Sequence, residues 1–259
     1  MTRSPLPRLA AAAMLSLSTV IATPALAGFP FQTDDPGTQG TGKVELDLFV
    51  QYTRFQGGSS GSLPGISFAY GITDNFDLSL NLPFTMAGVD GVGTNVGIGD
   101  VSGGFKFRFI EEDTEGWRPA VAIAPSVIFS SGSQARGTGL GYTRAYIPVW
   151  LSKTFDDWTV FGGGGLNINQ GTIAGVKQTN WWYAGLGTTY QINDSWTVGG
   201  ELYYTSPVSS SAKNLMGFNV AVIYALAPGH NLMAMAGRNL VNATTTNQFS
   251  GLLAYQLKF

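Results

Sequence analysis

The chain has 259 residues, with 14 Lys and Arg against 16 Asp and Glu, so it offers no basic surface of the kind that binds nucleic acid. It contains no cysteine, which excludes disulfides and thiolate metal sites. Charged residues make up 12% of the chain, against about 25% in typical soluble domains, which indicates that little of its surface faces water.

The first 27 residues have the layout of a secretory signal peptide. Arg3 and Arg8 lie near the start, an apolar run covers residues 9–21, and small residues at Ala25 and Ala27 form a cleavage site. The apolar run is too short to span a membrane as a helix. We therefore predict export across the inner membrane.

The rest of the chain lacks any run of 18 apolar residues, so membrane-spanning helices are not expected. In lipid only helices or closed barrels pair all their backbone polar groups. The sequence instead resolves into alternating segments of about ten residues, the pattern of an outer-membrane barrel. We predict an all-β, transmembrane, antiparallel up-and-down β-barrel of about twelve strands, with ten to fourteen left open. The predicted division is a signal peptide over residues 1–27, a periplasmic N-terminal segment over residues 28–42 and the barrel over residues 43–259.

The strands are predicted from the alternation in chain order. The first covers residues 44–55, and the clearest begins at Phe76 with apolar residues at every second position to Phe84. The fourth and fifth cover residues 101–109 and 117–129, and the last covers residues 249–259. The remaining seven centre near residues 67, 148, 164, 185, 200, 220 and 235.

Two kinds of connection alternate along the chain. Short turns rich in Asn, Asp, Pro and Gly are predicted at residues 73–75, 156–157, 193–194 and 228–229. The other connections are mostly longer, as at residues 87–96 and 130–141. This asymmetry is typical of the periplasmic and extracellular ends of an outer-membrane barrel.

Aromatic residues follow four of the short turns on the apolar face. Because aromatic rings favour the membrane–water boundary, we interpret them as a periplasmic aromatic girdle. They are Phe76, Trp117, Trp158 and Trp196.

The C-terminal strand ends on an aromatic residue. The pattern formed by Tyr255, Leu257 and Phe259 resembles the terminal signature of bacterial outer-membrane proteins. That resemblance implies recognition by the barrel-assembly machinery.

Several motifs over residues 33–109 resemble an outer-membrane transporter-like family named for the meta-pathway of phenol degradation. They are TDDPG (residues 33–37), YGITDNF (70–76), NLPF (81–84), GIGD (97–100) and GFKFRF (104–109). The resemblance implies an outer-membrane barrel that helps aromatic or other hydrophobic compounds to enter. It supplies no catalytic or binding residues.

The residues that alternate with the outward-facing apolar ones are predicted to point inward and line the lumen. At mid-height this set is mostly small, which favours a narrow passage over a packed core, unless the glycines serve strand curvature and bulges. The set is Asn81, Ser102, Ala122, Pro148, Gly163, Gly165, Gly185, Glu201 and Asn219.

On the sixth to ninth strands, several of the positions predicted to face the lumen are aromatic. Such a wall could bind aromatic solutes by stacking, and the alternative is mutual packing that fills the lumen. The predicted wall is Tyr146, Trp150, Phe161, Trp181, Tyr183 and Tyr203.

Charged residues at positions predicted to face the lumen cluster near the periplasmic end, with one more at mid-height. A salt-bridged lattice and a charged constriction that sets ion preference are both open interpretations. The set is Glu45, Asp47, Asp77, Lys106, Arg108, Arg118 and Glu201.

Two prolines, Pro125 and Pro148, fall inside the fifth and sixth strands. Each lacks the backbone N–H that would donate a hydrogen bond to the neighbouring strand. An ordinary bulge or a sideways gate into the lipid would account for them.

Catalysis is not expected. Outer-membrane phospholipases are also twelve-stranded barrels and pair a Ser with a His on the barrel wall. The single His, His230, falls in a predicted periplasmic turn, so a Ser–His pair is hard to build. No cofactor or metal is predicted.

The sequence favours a channel for passive uptake of small, aromatic or hydrophobic solutes. The alternative is a structural or plugged barrel without transport. Expected partners are outer-membrane lipid, the barrel-assembly machinery and small solutes, and the oligomeric state stays open.

Overall fold

The computed structural model describes residues 28–173 and 175–259. The predicted signal peptide lies outside the described residues. Among those described, no helix combines the length and apolarity needed to cross a membrane. The strands are β1 (Val44–Phe55), β2 (Gly58–Thr73), β3 (Phe76–Val89), β4 (Gly93–Ile98), β5 (Ser102–Ile110), β6 (Ala120–Ile123), β7 (Ser126–Ile128), β8 (Arg144–Phe155), β9 (Trp158–Ile168), β10 (Thr172–Ile173), β11 (Val176–Lys177), β12 (Trp181–Gln191), β13 (Trp196–Thr205), β14 (Leu215–Ala227), β15 (His230–Val241) and β16 (Phe249–Lys258). Two short helices are a 3₁₀ turn (Gln134–Arg136) and α1 (Ala243–Thr246).

The strands close into an antiparallel barrel, because β1 pairs with β2 on one side and with β16 on the other. At the seam, the Val44 amide donates to the Phe259 carbonyl at 2.7 Å and the Phe259 amide donates back at 3.0 Å. β4 with β5, and β6 with β7, are halves of single wall strands, so the wall contains twelve strands. The predicted fold class and strand count are confirmed.

Two adjacent wall strands are interrupted, each at a different height. β3 pairs with both β4 and β5, and β5 and β8 each pair with both β6 and β7. At the second interruption the Ala124 amide donates to the Pro148 carbonyl at 3.2 Å, and the Phe105 amide donates to the Pro125 carbonyl at 3.1 Å. The register with β5 and β8 continues through Pro125 without a shift, and that of β8 with β9 continues through Pro148, which argues against both a bulge and a sideways gate.

The two faces of the wall differ as the alternation predicts. On β8, Val149 and Leu151 point outward and are exposed, whereas Trp150 between them is fully buried inside. The same alternation leaves an apolar outer surface around the barrel. A closed barrel with this outer surface is a protein of the bacterial outer membrane.

One predicted loop proves to be strand. Residues 87–96 continue β3 into β4 through a turn at residues 90–92, with Val89 paired to Gly93. The β3–β4 hairpin therefore extends well beyond the ten or so residues that a membrane-spanning strand needs.

Candidate functional site

The first part of the N-terminal segment, assigned from the sequence to the periplasm, lies inside the barrel. Phe31, Thr33 and Asp34 are at most 7% exposed. The Phe31 ring packs against inward-facing Phe161 of β9, with 5.4 Å between ring centroids. The lumen is therefore occupied by the chain itself.

Glu201 of β13 holds this segment near mid-height. Its carboxylate accepts hydrogen bonds from the backbone amides of Gln32 and Thr33, both at 2.8 Å, and from Nδ2 of Asn219 at 2.6 Å. A buried carboxylate requires such donors, and bonds to a charged acceptor are stronger than neutral ones.

Lys106 of β5 forms the second attachment. Its Nζ lies 2.9 Å from Oδ2 of Asp34 and also donates to the Asp35 carbonyl at 2.9 Å. Burial raises the pKa of Asp34 to about 7, and the positive charge of Lys106 acts in the opposite direction. The lysine predicted as a lumen charge is thus paired with the segment.

Residues 38–43 attach the segment to the periplasmic rim. Oδ1 of Asp74 accepts from the amide and the hydroxyl of Thr41, at 3.0 and 2.6 Å. These bonds hold the pKa of Asp74 below its ordinary value. The Gln39 amide donates to Oδ2 of Asp77 at 2.9 Å.

The other predicted lumen charges have separate partners. Glu45 pairs with Lys258 at 2.8 Å, and Asp47 accepts from Nε2 of Gln256 at 3.0 Å. Arg108 donates to the Asp74 carbonyl at 3.0 Å.

Arg118 and Trp117 were placed by the sequence at the start of the fifth strand, but they lie in the connection before β6. Arg118 is exposed there and donates to the Glu111 carbonyl at 3.2 Å, so it does not line the lumen. Trp117 is 86% exposed, with its ring 5.7 Å from that of Phe155. An amide-to-carbonyl bond of 3.0 Å from Asp113 to Arg118 closes this connection as a turn.

The predicted aromatic wall faces inward, and all six side chains are buried. The Tyr183 ring lies 6.3 Å from Trp150 and 6.4 Å from Tyr203. The Tyr183 hydroxyl bonds Oγ1 of Thr33 at 2.8 Å. The wall therefore packs on itself and on the N-terminal segment.

Extracellular loops close the outer mouth over this wall. Val208, in the connection after β13, is buried in one cluster with Tyr146, Trp150 and Trp181. The Thr179 amide donates to the Val208 carbonyl at 3.0 Å, which ties the connection to its neighbour.

The loop over residues 130–141 is held by Asp100. Its carboxylate accepts from the amides of Gly132 and Leu140, both at 3.0 Å, and pairs with Arg144 at 2.7 Å.

The other girdle residues lie at the short-turn end with their rings outward. The Trp158 ring packs at a tilt against Tyr190, with 4.7 Å between ring centroids, and Trp196 packs likewise against Tyr224 at 4.5 Å. Phe76 packs against Phe105 at 5.4 Å.

The terminal signature lies on β16 and just beyond it. Tyr255 and Leu257 are half-buried, and Phe259 is 67% exposed. His230 contacts Tyr255, with 2.5 Å between its Nδ1 and the phenol oxygen, so this imidazole is paired with a tyrosine.

Sequence reasoning missed the docking of Phe31 and Thr33 and the insertion of Val208. The one available signal was Glu201, a lone charge at mid-height of a lumen of small residues.

This geometry defines a bacterial outer-membrane β-barrel whose lumen is aromatic on one side and occupied by an N-terminal segment. The chain belongs to the family described as "Putative MetA-pathway of phenol degradation", which matches residues 30–259.

Solved structures share the fold at low sequence identity. An outer-membrane channel from Pseudomonas putida F1 superposes with a TM-score of 0.71 at 15% identity, covering 87% of this chain and 98% of that one. The translocator domain of the autotransporter NalP from Neisseria meningitidis superposes with a TM-score of 0.50 at 12% identity, covering 85% and 89%. No curated protein sequence matches the chain.

Proposed function

We propose that the protein is a channel for passive uptake of small aromatic or hydrophobic solutes, and that residues 28–37 occlude it at rest. The observation that carries this proposal is the way the segment is held. It adds no strand to the wall. It is held by polar contacts with Glu201, Lys106 and Tyr183, and by ring contacts of Phe29 with Phe49 and of Phe31 with Phe161.

Withdrawal of the segment would leave the barrel intact. Every wall strand keeps its ladder partners, since the backbone of residues 28–37 pairs with none of them among the described residues. The cost of opening is therefore the loss of a handful of hydrogen bonds, one ion pair and the ring contacts of Phe29 and Phe31 with the inner wall. Each hydrogen bond contributes about 1 kcal/mol net, and one to a charged group about 1.5–3 kcal/mol.

The wall exposed by withdrawal suits aromatic solutes. Trp150, Tyr183 and Tyr203 would present ring faces and edges, and Gly163 and Gly185 add no side-chain bulk. Rings bind to such walls through offset stacking and edge contacts, and phenol groups orient a polar substituent.

A structural barrel without transport is the second candidate, and the packing at both ends favours it. Thr33 fills the space beside Gly185 from the periplasmic side, and Val208 enters the aromatic cluster from outside. In that case the segment would be a permanent part of the core.

Single-channel conductance in planar bilayers separates the two candidates. We expect small or rare steps from the chain beginning at residue 28 and larger, frequent steps from a variant lacking residues 28–37, which keeps the rim attachment at Asp74. Phenol or benzoate should block the steps of the truncated variant. A heat-dependent shift in electrophoretic mobility confirms that each barrel is folded. Silence from both folded barrels would favour the structural role.

A further inference from the structure

An apolar groove of about 680 Å³ crosses the wall from β13 to β2. Two rows of outward-facing residues border it, and within each row the members are register partners on neighbouring strands. They are Val198, Val222, Ala234, Leu253 and Val50 nearer the periplasmic ends of the strands, and Val220, Ala236, Gly251 and Tyr52 nearer the extracellular ends.

The groove opens toward the lipid and not toward the lumen. Between the two rows, its lining includes one inward-facing position on each of five strands, such as Ala221 and Met235. The next inward-facing residues along the same strands, such as Asn219 and Met233, do not line it. In a membrane-spanning wall, lipid acyl chains cover this face.

Small side chains make the groove deep at its centre. Ala236 and Gly251 are register partners on β15 and β16, and Ala234 lies beside them on the other row. A Cβ atom at Gly251 would lie 3.4 Å from its nearest non-adjacent neighbour, the Phe249 ring, so the space outside Gly251 is open. The groove has the volume of sites that bind small ligands, which is about 300–1,000 Å³.

Arg238 lies directly on the extracellular side of this groove. It is the next outward-facing residue after Ala236 on β15, about 7 Å further along the strand. Its side chain is exposed, and its Nε donates to the Asn239 carbonyl at 3.4 Å. Within the described part of the chain, its guanidinium forms no ion pair.

A second outward-facing arginine near the groove is neutralised. Arg54 of β1, the register partner of Phe249, donates to both carboxylate oxygens of Asp90 at 2.7 and 2.6 Å. Arg238 therefore supplies the uncompensated positive charge at this edge of the groove.

The position of Arg238 corresponds to the headgroup level of the outer leaflet. It lies three residues before Val241, where β15 ends at the extracellular side. A guanidinium is a planar fork of donors that matches the geometry of a phosphate. An acyl chain in the groove would belong to a lipid whose headgroup meets this arginine.

We propose that the groove and Arg238 form a binding site for a phosphorylated glycolipid of the outer leaflet, of the lipid A class. One acyl chain lies over Ala234, Ala236 and Gly251, and a sugar phosphate accepts hydrogen bonds from Arg238. The site lies on the outside of the wall and does not depend on the proposed channel function.

The test of the phosphate contact is native mass spectrometry of the delipidated barrel, titrated in detergent with lipid A and with lipid A stripped of its phosphates. We expect the phosphorylated form to bind about fivefold more tightly, the contribution of one basic side chain beside an anionic lipid. Arg238→Gln should bind both forms equally. Lys177→Gln, at an exposed cation on β11, should retain the preference. Equal binding by the native barrel, or a preference that survives Arg238→Gln, would overturn the proposal.

Ala236→Leu tests the acyl-chain contact. The larger side chain fills the centre of the groove without adding a polar group, so both lipids should bind several-fold more weakly. Ala145→Leu is the matched control, because Ala145 faces outward on β8, away from the groove, as the register partner of exposed Val127. A heat-dependent shift in electrophoretic mobility shows that each variant is folded.

The same spectra report the mass of the assembly. Unchanged lipid binding by folded Ala236→Leu would overturn the site. If that variant also lost a dimer present in the native barrel, the groove would instead be the contact with a second copy of the chain.

Discussion

Gly185 and Thr33 fit together so closely that a Cβ atom at Gly185 would overlap Oγ1 of Thr33. Gly185 lies on the inner face of β12, and Thr33 reaches it while its own amide bonds Glu201 at 2.8 Å. The absence of a side chain at one wall position is thus what allows the N-terminal segment to lie flat against the wall.

Gly185→Ala should therefore displace the segment. The added methyl group must push Thr33 away, which weakens its bonds to Glu201 and Tyr183. We expect larger or more frequent conductance steps than in the native barrel. Gly200→Ala is the matched control, because a Cβ there would lie 3.4 Å from its nearest neighbour, an ordinary contact. Equal conductance of all three barrels would show that Gly185 does not control docking.

The ion pair between Lys106 and Asp34 should couple the segment to the wall. Breaking it from either side leaves a largely buried charge unpaired, and we expect Lys106→Met and Asp34→Asn each to weaken docking by about 3–5 kcal/mol. The double variant should lose less than the sum of the single losses, because both act on one interaction.

The fraction of time that each barrel conducts gives the docking free energies compared in this double-mutant cycle. The exposed pair Arg54–Asp90, with side chains 39% and 51% exposed, serves as a control whose removal should leave conductance unchanged. Strict additivity of the two lumen variants would contradict the coupling.

The rim attachment should depend on pH through Asp74. Because hydrogen bonds from Thr41 lower the pKa of Asp74, docking favours its ionised form. That contribution is fully present above the ordinary aspartate pKa of about 3.9 and is lost as the pH falls through the lower value of the docked state.

A dye on Gln39→Cys would report this release, since the chain contains no other cysteine. We expect its fluorescence to change as the pH falls below about 4 in the otherwise native barrel, to a greater extent than in Asp74→Asn. Identical pH profiles would assign the release to other carboxylates, such as Asp77.

Phe259 should matter for assembly more than for the finished barrel. Its side chain is 67% exposed, and its seam contacts with Val44 are made by backbone atoms. We expect Phe259→Ala to lower the amount of barrel in the outer membrane while the purified protein keeps native heat stability. Phe249→Ala, at the other end of β16 and 49% exposed, is the control. Equal yields of both variants would argue against a terminal signature.

The wall of the barrel could be predicted from the sequence because strand geometry fixes a period of two. Once Val149 is assigned to the lipid face, Trp150 must face inward, and the same rule predicts inward positions for Tyr183 and Tyr203, whose side chains are buried. The first strand, residues 44–55, matches β1 at both ends.

The occupied lumen could not be predicted in this way. Thr33 bonds a residue 168 positions away, and an irregular segment has no period that would reveal its partner. Trp117 was misplaced because alternation continues by chance into the connection before β6. There the Asp113-to-Arg118 backbone bond, which the pattern does not encode, decides the conformation.

The interruptions in the two neighbouring wall strands have a mechanical consequence. Ser126, just past Pro125, pairs with Gly104 of β5. The β4–β5 interruption lies further along, where the Phe129 amide donates to the Val101 carbonyl at 2.8 Å. Because the two interruptions lie at different heights, an unbroken part of the neighbouring strand runs past each of them. At the height of either interruption, hydrogen bonds to the neighbouring strand keep the wall continuous. Lateral pressure from the bilayer can therefore bend the barrel there without separating its strands.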